Sequence, residues 1–416
     1  MTTKLFRHAH IYTPRRSRAP AAGPEQGRID EWPDGALLVK DGRIIAVGAG
    51  GDVEKAIGKA IANLQDVKEH DLEGAAVIPG FVDPHTHACF AAKREGEFSM
   101  RLAGKSYLDI LKAGGGILSS VRSVRSASEE DLFRFSRRLL ETTLHYGTTT
   151  IEIKSGYGLD TETELKILRT IGRLARETPQ SVVPTFMGAH AVPEEYRSNP
   201  DGYVALLLNE MLPSVQGFAR FCDVFCEEGV FSVAQSRGIL QKARELGMKL
   251  KIHADEVHDL GGASLAGEMR VTSAEHLLAA SDEGIDALAR GGVVAVLLPA
   301  TAYSLKKSFA RARTMIEKGV PVALATDLNP GSCFCESMPF VVSLAVMGMN
   351  LSPEEALVGA TLNAAWALGL EEEVGSLETG KLADFIVLDG ESPAVLAYVS
   401  GSRPIRSVWK AGEKVA

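Results

Sequence analysis

The sequence predicts an α/β protein: a (β/α)8 TIM-type barrel carrying a small β-sandwich-like domain formed by both chain termini. Three observations predict it. Eight short apolar, β-branched runs recur between residues 75 and 374, separated by longer stretches rich in Ala, Leu, Glu, Lys and Arg. Both ends of the chain carry hairpin signals, and neither end alone has enough strand for a stable sheet. Histidines and carboxylates collect directly after the apolar runs instead of scattering over the chain.

At the N-terminal end, residues 36–47 are two β-rich runs around Asp41-Gly42, a strong short-range hairpin signal. Near the C-terminus, residues 384–388 read as a strand and residues 407–415 as a second hairpin turning at Gly412. Pairing the two ends makes one composite domain of residues 1–74 and 375–416, with 14–33, rich in Arg, Pro and Gly, as a loop inside it. The middle runs are 75–82, 148–154, 182–188, 221–226, 250–253, 270–274, 293–298 and 320–326. Continuous apolar strands alternating with helices indicate a parallel sheet covered on both faces. Eight such units over residues 75–374 fit a closed barrel better than a doubly wound sheet.

Composition narrows the function classes. The 416 residues carry 45 Lys+Arg against 53 Asp+Glu, a net charge of −8, which argues against a nucleic-acid or anionic-membrane surface. The longest uncharged stretch, 337–353, has 17 residues and is interrupted by Pro339, Gly348 and Asn350, short of the ~20 apolar residues of a membrane span. Charges in the first 18 residues stand where a signal peptide needs its apolar core, so a cytoplasmic protein is expected. Cys89, Cys222, Cys226, Cys333 and Cys335 are an odd, sparse set that reads as reduced thiols. Their spacings do not make paired C-x-x-C zinc knuckles. Gly104-Lys105-Ser106 ends like a phosphate loop, but Ser99 stands where that loop needs Gly.

In a barrel, chemistry comes from the C-terminal ends of the strands. Strand 1 ends in Pro84-His85-Thr86-His87, followed by Arg94. Strand 2 leads into Lys154-Ser155-Gly156-Tyr157-Gly158. Strand 3 contributes His190, strand 5 His253 and Glu256, and strand 6 Glu275 and His276. Strand 8 contributes Asp327 and then Asn329-Pro330-Gly331-Ser332. His85 and His87 point to one side of an extended chain because side chains alternate with period two. Joined by His253 and Asp327, they make an N3O donor set that suits Zn first, with Fe or another divalent metal as an alternative. An open position on such an ion generates a hydroxide-like nucleophile, and Glu256 stands three residues from His253 to relay a proton. His8, His10, His70, His145 and His258 read as ordinary histidines.

These residues carry a family resemblance. Val77-Ile-Pro-Gly-Phe-Val-Asp-Pro-His-Thr-His87 resembles the first-strand signature of the amidohydrolase superfamily, metal-dependent hydrolases on this barrel. The likeness runs through Gly375-Ser-Leu-Glu-Thr-Gly-Lys-Leu-Ala-Asp384, nearly the whole chain. A narrower resemblance, to the branch that opens an imidazolone ring in histidine degradation, rests on five segments: 154–160, 186–190, 223–227, 253–256 and 325–331. It implies hydrolysis of the ring C–N bond of 4-imidazolone-5-propanoate to N-formimidoyl-L-glutamate. It also implies one divalent metal on His85, His87, His253 and Asp327. Substrate contacts would be Arg94, Tyr107, Tyr157 and His190, with His190 or the metal polarising the ring oxygen. Glu256 and His276 would handle protons beside Asp327, with Glu256 also reaching substrate, and Asn329, Gly331 and Ser332 would hold the product's glutamate end. The implied partner is a carboxylate-bearing small molecule, and a homodimer is the expected assembly.

Three features depart from the family pattern: Ser332 stands where Thr is expected, Glu275 where Asp is expected, and two cysteines, Cys333 and Cys335, follow the Asn329-Pro330-Gly331 segment near the expected site. Strand 4 ends in Glu227 and Glu228, without the lysine that bridges two metals in binuclear relatives, so one metal is expected. A deaminase of a cyclic amidine such as cytosine or guanine would share the histidines and the strand-8 aspartate. Arg94 and the Lys154–Gly158 loop favour a carboxylate-bearing substrate instead. A catalytically inactive barrel serving as a binding protein would lack a ligand or Glu256, and none is missing.

Overall fold

The computed structural model describes residues 3–53, 55, 67–105, 109–110 and 113–416. Tyr107, a candidate substrate contact, and Ser106 lie outside the described residues. The N-terminal strands are β1 (Thr3–Pro14), β2 (Ile29–Lys40), β3 (Arg43–Ala49), β4 (Val67–Asp71) and β5 (Ala76–Pro79). They join β14 (Phe385–Leu388), β15 (Ile405–Lys410) and β16 (Glu413–Lys414) in one mixed sheet. Its order is β16-β15-β14-β5-β1-β2-β3, with β4 alongside β1.

Both hairpins close as the sequence suggests. Asp41 and Gly42 have φ of 50° and 82°, and Ala411 and Gly412 have 48° and 71°, the paired left-handed residues of a tight two-residue turn. Aromatic packing then binds the two chain ends. Phe6 meets Phe385 and Trp409 edge-on at 4.9 Å each, and Phe385 stacks on Trp409 at 5.5 Å. Each such pair contributes about 0.5–1.5 kcal/mol beyond the area it buries.

The run at residues 75–82 is one apolar stretch in sequence and two strands in space. β5 pairs with β1 and β14, whereas β6 (Phe81–Asp83) opens the barrel by pairing with β7 (Thr148–Lys154). The chain changes sheets at Gly80, where an added Cβ would overlap the buried Thr149 side chain. The loop after β1 is more than an insertion in the small sheet. Gln26 is buried, donates to Val322 O at 2.8 Å and accepts from Val322 N at 2.9 Å, extending the barrel's hydrogen bonding.

The barrel continues through β8 (Ser181–Ala189), β9 (Phe221–Cys226), β10 (Lys249–Ala254), β11 (Ser273–His276), β12 (Val294–Leu297) and β13 (Val322–Leu324). Neighbours in this order pair in parallel from β6 to β13. The seam between β6 and β13 is held at the site end. Asp327 N donates to His85 O at 3.1 Å, His87 N to Leu328 O at 2.9 Å, and Thr326 N to Asp83 Oδ1 at 3.1 Å. β11 begins later than the sequence suggests, because Arg270 at φ 48° caps the helix Gly262–Met269 and is unavailable to a strand. Lys410 Nζ bonds Asp384 Oδ2 at 2.6 Å and Ser181 Oγ at 2.8 Å, tying the small sheet to the start of β8. All five cysteines are free. No helix among the described residues is long and apolar enough to cross a membrane.

The substitution Gly80→Ala is expected to lower stability by about 1–3 kcal/mol, the range for overpacking a filled site. Equilibrium urea unfolding of the variant against the parent measures it.

Candidate active site

The strand ends bring His85, His87 and His253 together. One nitrogen of each lies within 4.8 Å of the others, and all three side chains are buried. His85 Nε2 and both ring nitrogens of His253 make no hydrogen bond, although burying an unpaired polar atom is costly. Asp327 joins them, with Oδ1 3.5 Å from His85 Nε2 and 3.8 Å from His87 Nε2, while Oδ2 accepts from Thr301 Oγ1 at 2.6 Å. Unpartnered imidazole nitrogens converging on a carboxylate are the donor set of a divalent metal.

Backbone strain concentrates at the same end of the barrel. Asp255, His276, Leu277 and Asp327 all lie just beyond strands or at their last residue, at φ between 49° and 71°, conformations that cost a non-glycine residue about 1 kcal/mol or more. Three backbone N–H groups, of Leu260, Gly262 and Ala263, hold the Asp255 carboxylate in place.

Below the histidines the barrel interior is charged. Glu152, Lys154, Asp223, Lys251 and Glu275 are all fully buried. Glu275 Oε2 lies 2.5 Å from His85 Nδ1, and Asp223 Oδ2 lies 3.1 Å from His253 Nδ1. Each carboxylate therefore faces the nitrogen that a metal would leave free, as orienting partners of metal-binding histidines do. Burial alone would lower the Lys154 pKa, but Asp223, Glu152 and Glu275 outweigh it and hold the ammonium charged. Burial would raise the Asp223 pKa, but His253 and Lys154 drive it far below the usual carboxylate range. Counting Asp327, four carboxylates face two lysines. A divalent cation held above them would offset this excess of acidic side chains.

Glu256 and His276 flank the cluster with His276 Nε2 3.7 Å from Glu256 Oε2, and the Glu256 side chain is 16 % exposed. Glu227 steadies the loop that carries Glu256. Its Oε2 accepts from Val257 N at 2.9 Å, and its Oε1 lies 2.9 Å from His258 Nδ1. His258 thus has a structural partner.

His190 stacks on His87 at 4.8 Å, with Tyr157 tilted against both rings. Its Nδ1 lies 3.1 Å from Gly156 O, which can only accept, so Nδ1 carries the hydrogen and Nε2 is left as an acceptor. Burial lowers its pKa to about 4. A neutral ring of this tautomer can accept at Nε2 and has no hydrogen there to donate, which runs against the oxygen-polarising role read from the sequence.

Glu164 organises the Lys154–Gly158 loop by accepting from Gly156, Gly158 and Leu159 N–H groups. Gly156 sits at φ 107°, where a Cβ would lie 2.7 Å from Met187 O.

Arg94 is locked by Glu97 through Nε at 2.9 Å and Nη2 at 2.7 Å, which leaves Nη1 with one long contact to Ser120 Oγ at 3.5 Å. Against partial burial, Arg94 and Gly116 N–H hold the Glu97 carboxyl below its usual range. Gly331 packs on the Arg94 guanidinium so closely that a Cβ would overlap it. Asn329 Oδ1 accepts from Gly331 N and Ser332 N at 2.8 Å each, so these groups serve the loop itself in this structure. A cavity of about 590 Å³ opens on this side, lined by Arg94, Phe98, Arg101, Tyr303, Gly331 and Phe334 among others.

Several contributors carry no site role in the sequence reading, among them Glu97, Glu152, Lys154, Glu164, Asp223, Lys251 and Glu275. For Glu152 a signal existed. Thr148, Thr150, Glu152 and Lys154 alternate with other residues in a strand that a two-sided parallel sheet would make apolar throughout.

An eight-stranded parallel barrel with three buried histidines and an aspartate at its strand ends is the layout of a metal-dependent hydrolase. Residues 76–415 match the amidohydrolase family. The chain is 58 % identical over 412 residues to the imidazolonepropionase of Syntrophobacter fumaroxidans, covering 99 % of this chain and 96 % of the relative. It is 56 % identical over 417 residues to that of Desulfotalea psychrophila, covering 100 % of both. The chain belongs to the amidohydrolase family of hydrolases and, within it, to the imidazolonepropionases. Among solved structures, E. coli guanine deaminase matches with TM-score 0.73 at 17 % identity, covering 100 % of this chain and 99 % of that one. A zinc-bound adenosine deaminase from Xanthomonas campestris matches with TM-score 0.70 at 18 % identity, over 99 % and 92 %. At these identities the likeness shows the fold alone.

Burial lowers the pKa of His253 to about 3 and that of His190 to about 4, and holds His85 and His87 well below their usual value. Free histidine titrates near ~6.5. Stability from these neutral rings is therefore present above that pH and is lost as pH falls toward their folded values. Burial raises the Asp327 pKa to about 6, which works the opposite way: its contribution is present at low pH and is lost as pH rises through 6. Asp83, raised by burial to about 7, acts in the same sense as Asp327, and four histidines outweigh these two carboxylates, so metal-free protein is expected to lose stability between about pH 7 and 5, read as a falling denaturant midpoint. Metal binding in that range is expected to release about one proton, from Asp327, where free histidines would release about three. Titration calorimetry in two buffers counts them.

Proposed function

We propose that this chain hydrolyses the ring C–N bond of 4-imidazolone-5-propanoate to N-formimidoyl-L-glutamate, with one divalent metal, zinc first, held by His85, His87, His253 and Asp327. The observation that carries this reading is 56–58 % identity over essentially the full length to imidazolonepropionases. The buried histidines with their unpartnered nitrogens support the ligand set. When bound, the metal acidifies water and polarises a carbonyl oxygen.

The chain's own residues supply orientation and proton transfer. Arg94 offers Nη1 to the substrate propionate, its other nitrogens being committed to Glu97. Tyr157 and His190 form one wall of the ring site, and His190 Nε2 accepts a ring N–H. Attack on the ring carbonyl forms a C–O bond and breaks the ring C–N bond. The water proton leaves and the departing nitrogen gains one. Glu256 and His276, 3.7 Å apart, carry that proton as a pair. Opening of the ring leaves a second carboxylate, and Ser332 and Gly331 receive it once the loop hydrogen bonds to Asn329 rearrange.

The test is turnover of substrate freshly made from urocanate, followed by loss of its ultraviolet absorbance and identification of the product by mass. Metal-dependent formation of N-formimidoyl-glutamate near one metal per chain is expected, with His85→Ala inactive. Bound metal without turnover, together with ammonia release from a cyclic amidine, would overturn the substrate assignment. Arg94→Ala is expected to raise KM about 10- to 100-fold with kcat changed little, and Glu97→Gln to raise KM about three- to tenfold by unlocking the guanidinium. Steady-state kinetics separate the two effects.

A further inference from the structure

The buried charges of the barrel form a continuous chain that starts at one candidate metal ligand and ends at another. His85 Nδ1 meets Glu275 Oε2 at 2.5 Å, and Glu275 Oε1 faces Lys251 Nζ at 3.5 Å. Lys251 lies 3.0 Å from Glu152 Oε1, and Glu152 Oε2 lies 2.8 Å from Lys154 Nζ. Lys154 lies 2.8 Å from Asp223 Oδ2, the same oxygen that stands 3.1 Å from His253 Nδ1. Charge alternates at each step, and none of the five linking side chains is exposed to solvent. Lys251 Nζ also donates to Pro84 O at 2.8 Å, fixing the backbone just before His85.

We infer that Glu275, Lys251, Glu152, Lys154 and Asp223 act as one positioning unit that couples the orientations of His85 and His253, so that both ligands are held for the metal together. The reason is the absence of water. A charge in this interior cannot be compensated by solvent, so removing one member leaves its neighbours without a partner and the disturbance passes along the chain. Glu152 is the diagnostic member. Its side chain sits between the two lysines and, among the described residues, reaches the histidine rings only through them, while its backbone contact to Thr86 is untouched by a side-chain substitution. If the carboxylates oriented their histidines independently, Glu152 would not affect metal binding. This inference rests on the metal-site reading above.

The experiment is metal affinity of full-length protein, stripped and titrated with Zn²⁺ in competition with a chelating dye. A parallel titration with Co²⁺ reads its visible absorption as a report on ligand geometry. Unfolding of each metal-free variant is measured alongside. Glu275→Gln and Asp223→Asn are each expected to weaken binding about 10- to 100-fold, the range for lost orienting partners. Glu152→Gln is expected to weaken it about tenfold and to alter the Co²⁺ spectrum. The double variant of Glu275→Gln with Asp223→Asn should lose less than the product of the two singles, and Glu275→Asp should recover most of the affinity.

If Glu152→Gln does not fold, Thr185→Val is the milder probe, because it removes the hydroxyl that donates to Glu152 Oε1. The same loss of affinity and spectral change is expected from it, at smaller size. Wild-type affinity in the Glu152 and Thr185 variants, with multiplicative losses in the double, would overturn the coupling and leave two independent pairs. Failure of folded wild-type protein to bind metal would overturn the metal-site reading, and this inference with it.

Discussion

Five charged side chains with no access to water occupy the centre of this barrel, and the rest of the site is arranged around satisfying them. Burying a single unpaired carboxylate or ammonium costs several kcal/mol, so no member can be placed without the others. The barrel makes this possible through period two. Glu152 and Lys154 on β7, Asp223 on β9, Lys251 and His253 on β10 and Glu275 on β11 alternate with outward apolar residues along parallel strands. The strand register sets which of them meet: Lys251 pairs with Ser273 and His253 with Glu275, which places the charges in adjacent layers. Histidine orientation at the top of the barrel is thus a consequence of charge compensation lower down.

The loops at the site end obey a related rule: each functional segment is held by a buried or half-buried polar side chain that accepts several backbone N–H groups. Glu164 does this for 156–159, Asp255 for 260–263, Asn329 for 331–333 and Glu227 for 257–258. Carboxylate and amide oxygens that satisfy two or three donors convert irregular backbone into a rigid frame without regular secondary structure. The positive-φ residues at the strand ends persist because these contacts over-determine them. The Arg94–Glu97 lock belongs to the same scheme, fixing a long cationic side chain that is otherwise rich in rotamers.

Much of this was legible in the sequence, and the limits are physical. Strand-length apolar runs marked the barrel, and Asp41-Gly42 marked a hairpin, because both depend on local chemistry. His85, His87, His253 and Asp327 were visible because a parallel barrel gathers the residues at its strand C-termini onto one face. Gly80 was not recognisable as the crossing point between two sheets, since the run it interrupts is apolar on both sides and the steric reason lies in Thr149, distant in sequence. The hydrogen-bond direction of His190 depends on the position of Gly156 O and could not be read from residue type. Glu275 looked like a change of reach beside His276; its contact with His85 spans 190 positions of the chain.

The sequence by itself determined the element types, the barrel class, the joining of both termini and which side chains stand at the strand ends. These come from periodicity, turn chemistry and the handedness rules of parallel βα units, all of which act over short stretches of chain. Only the tertiary structure decided which charge compensates which, which loop oxygen holds which backbone N–H, and how much of Arg94 remains free for a ligand. Those outcomes depend on distances between residues far apart in the chain and on the exclusion of water from the space between them, and neither quantity is encoded at any one position.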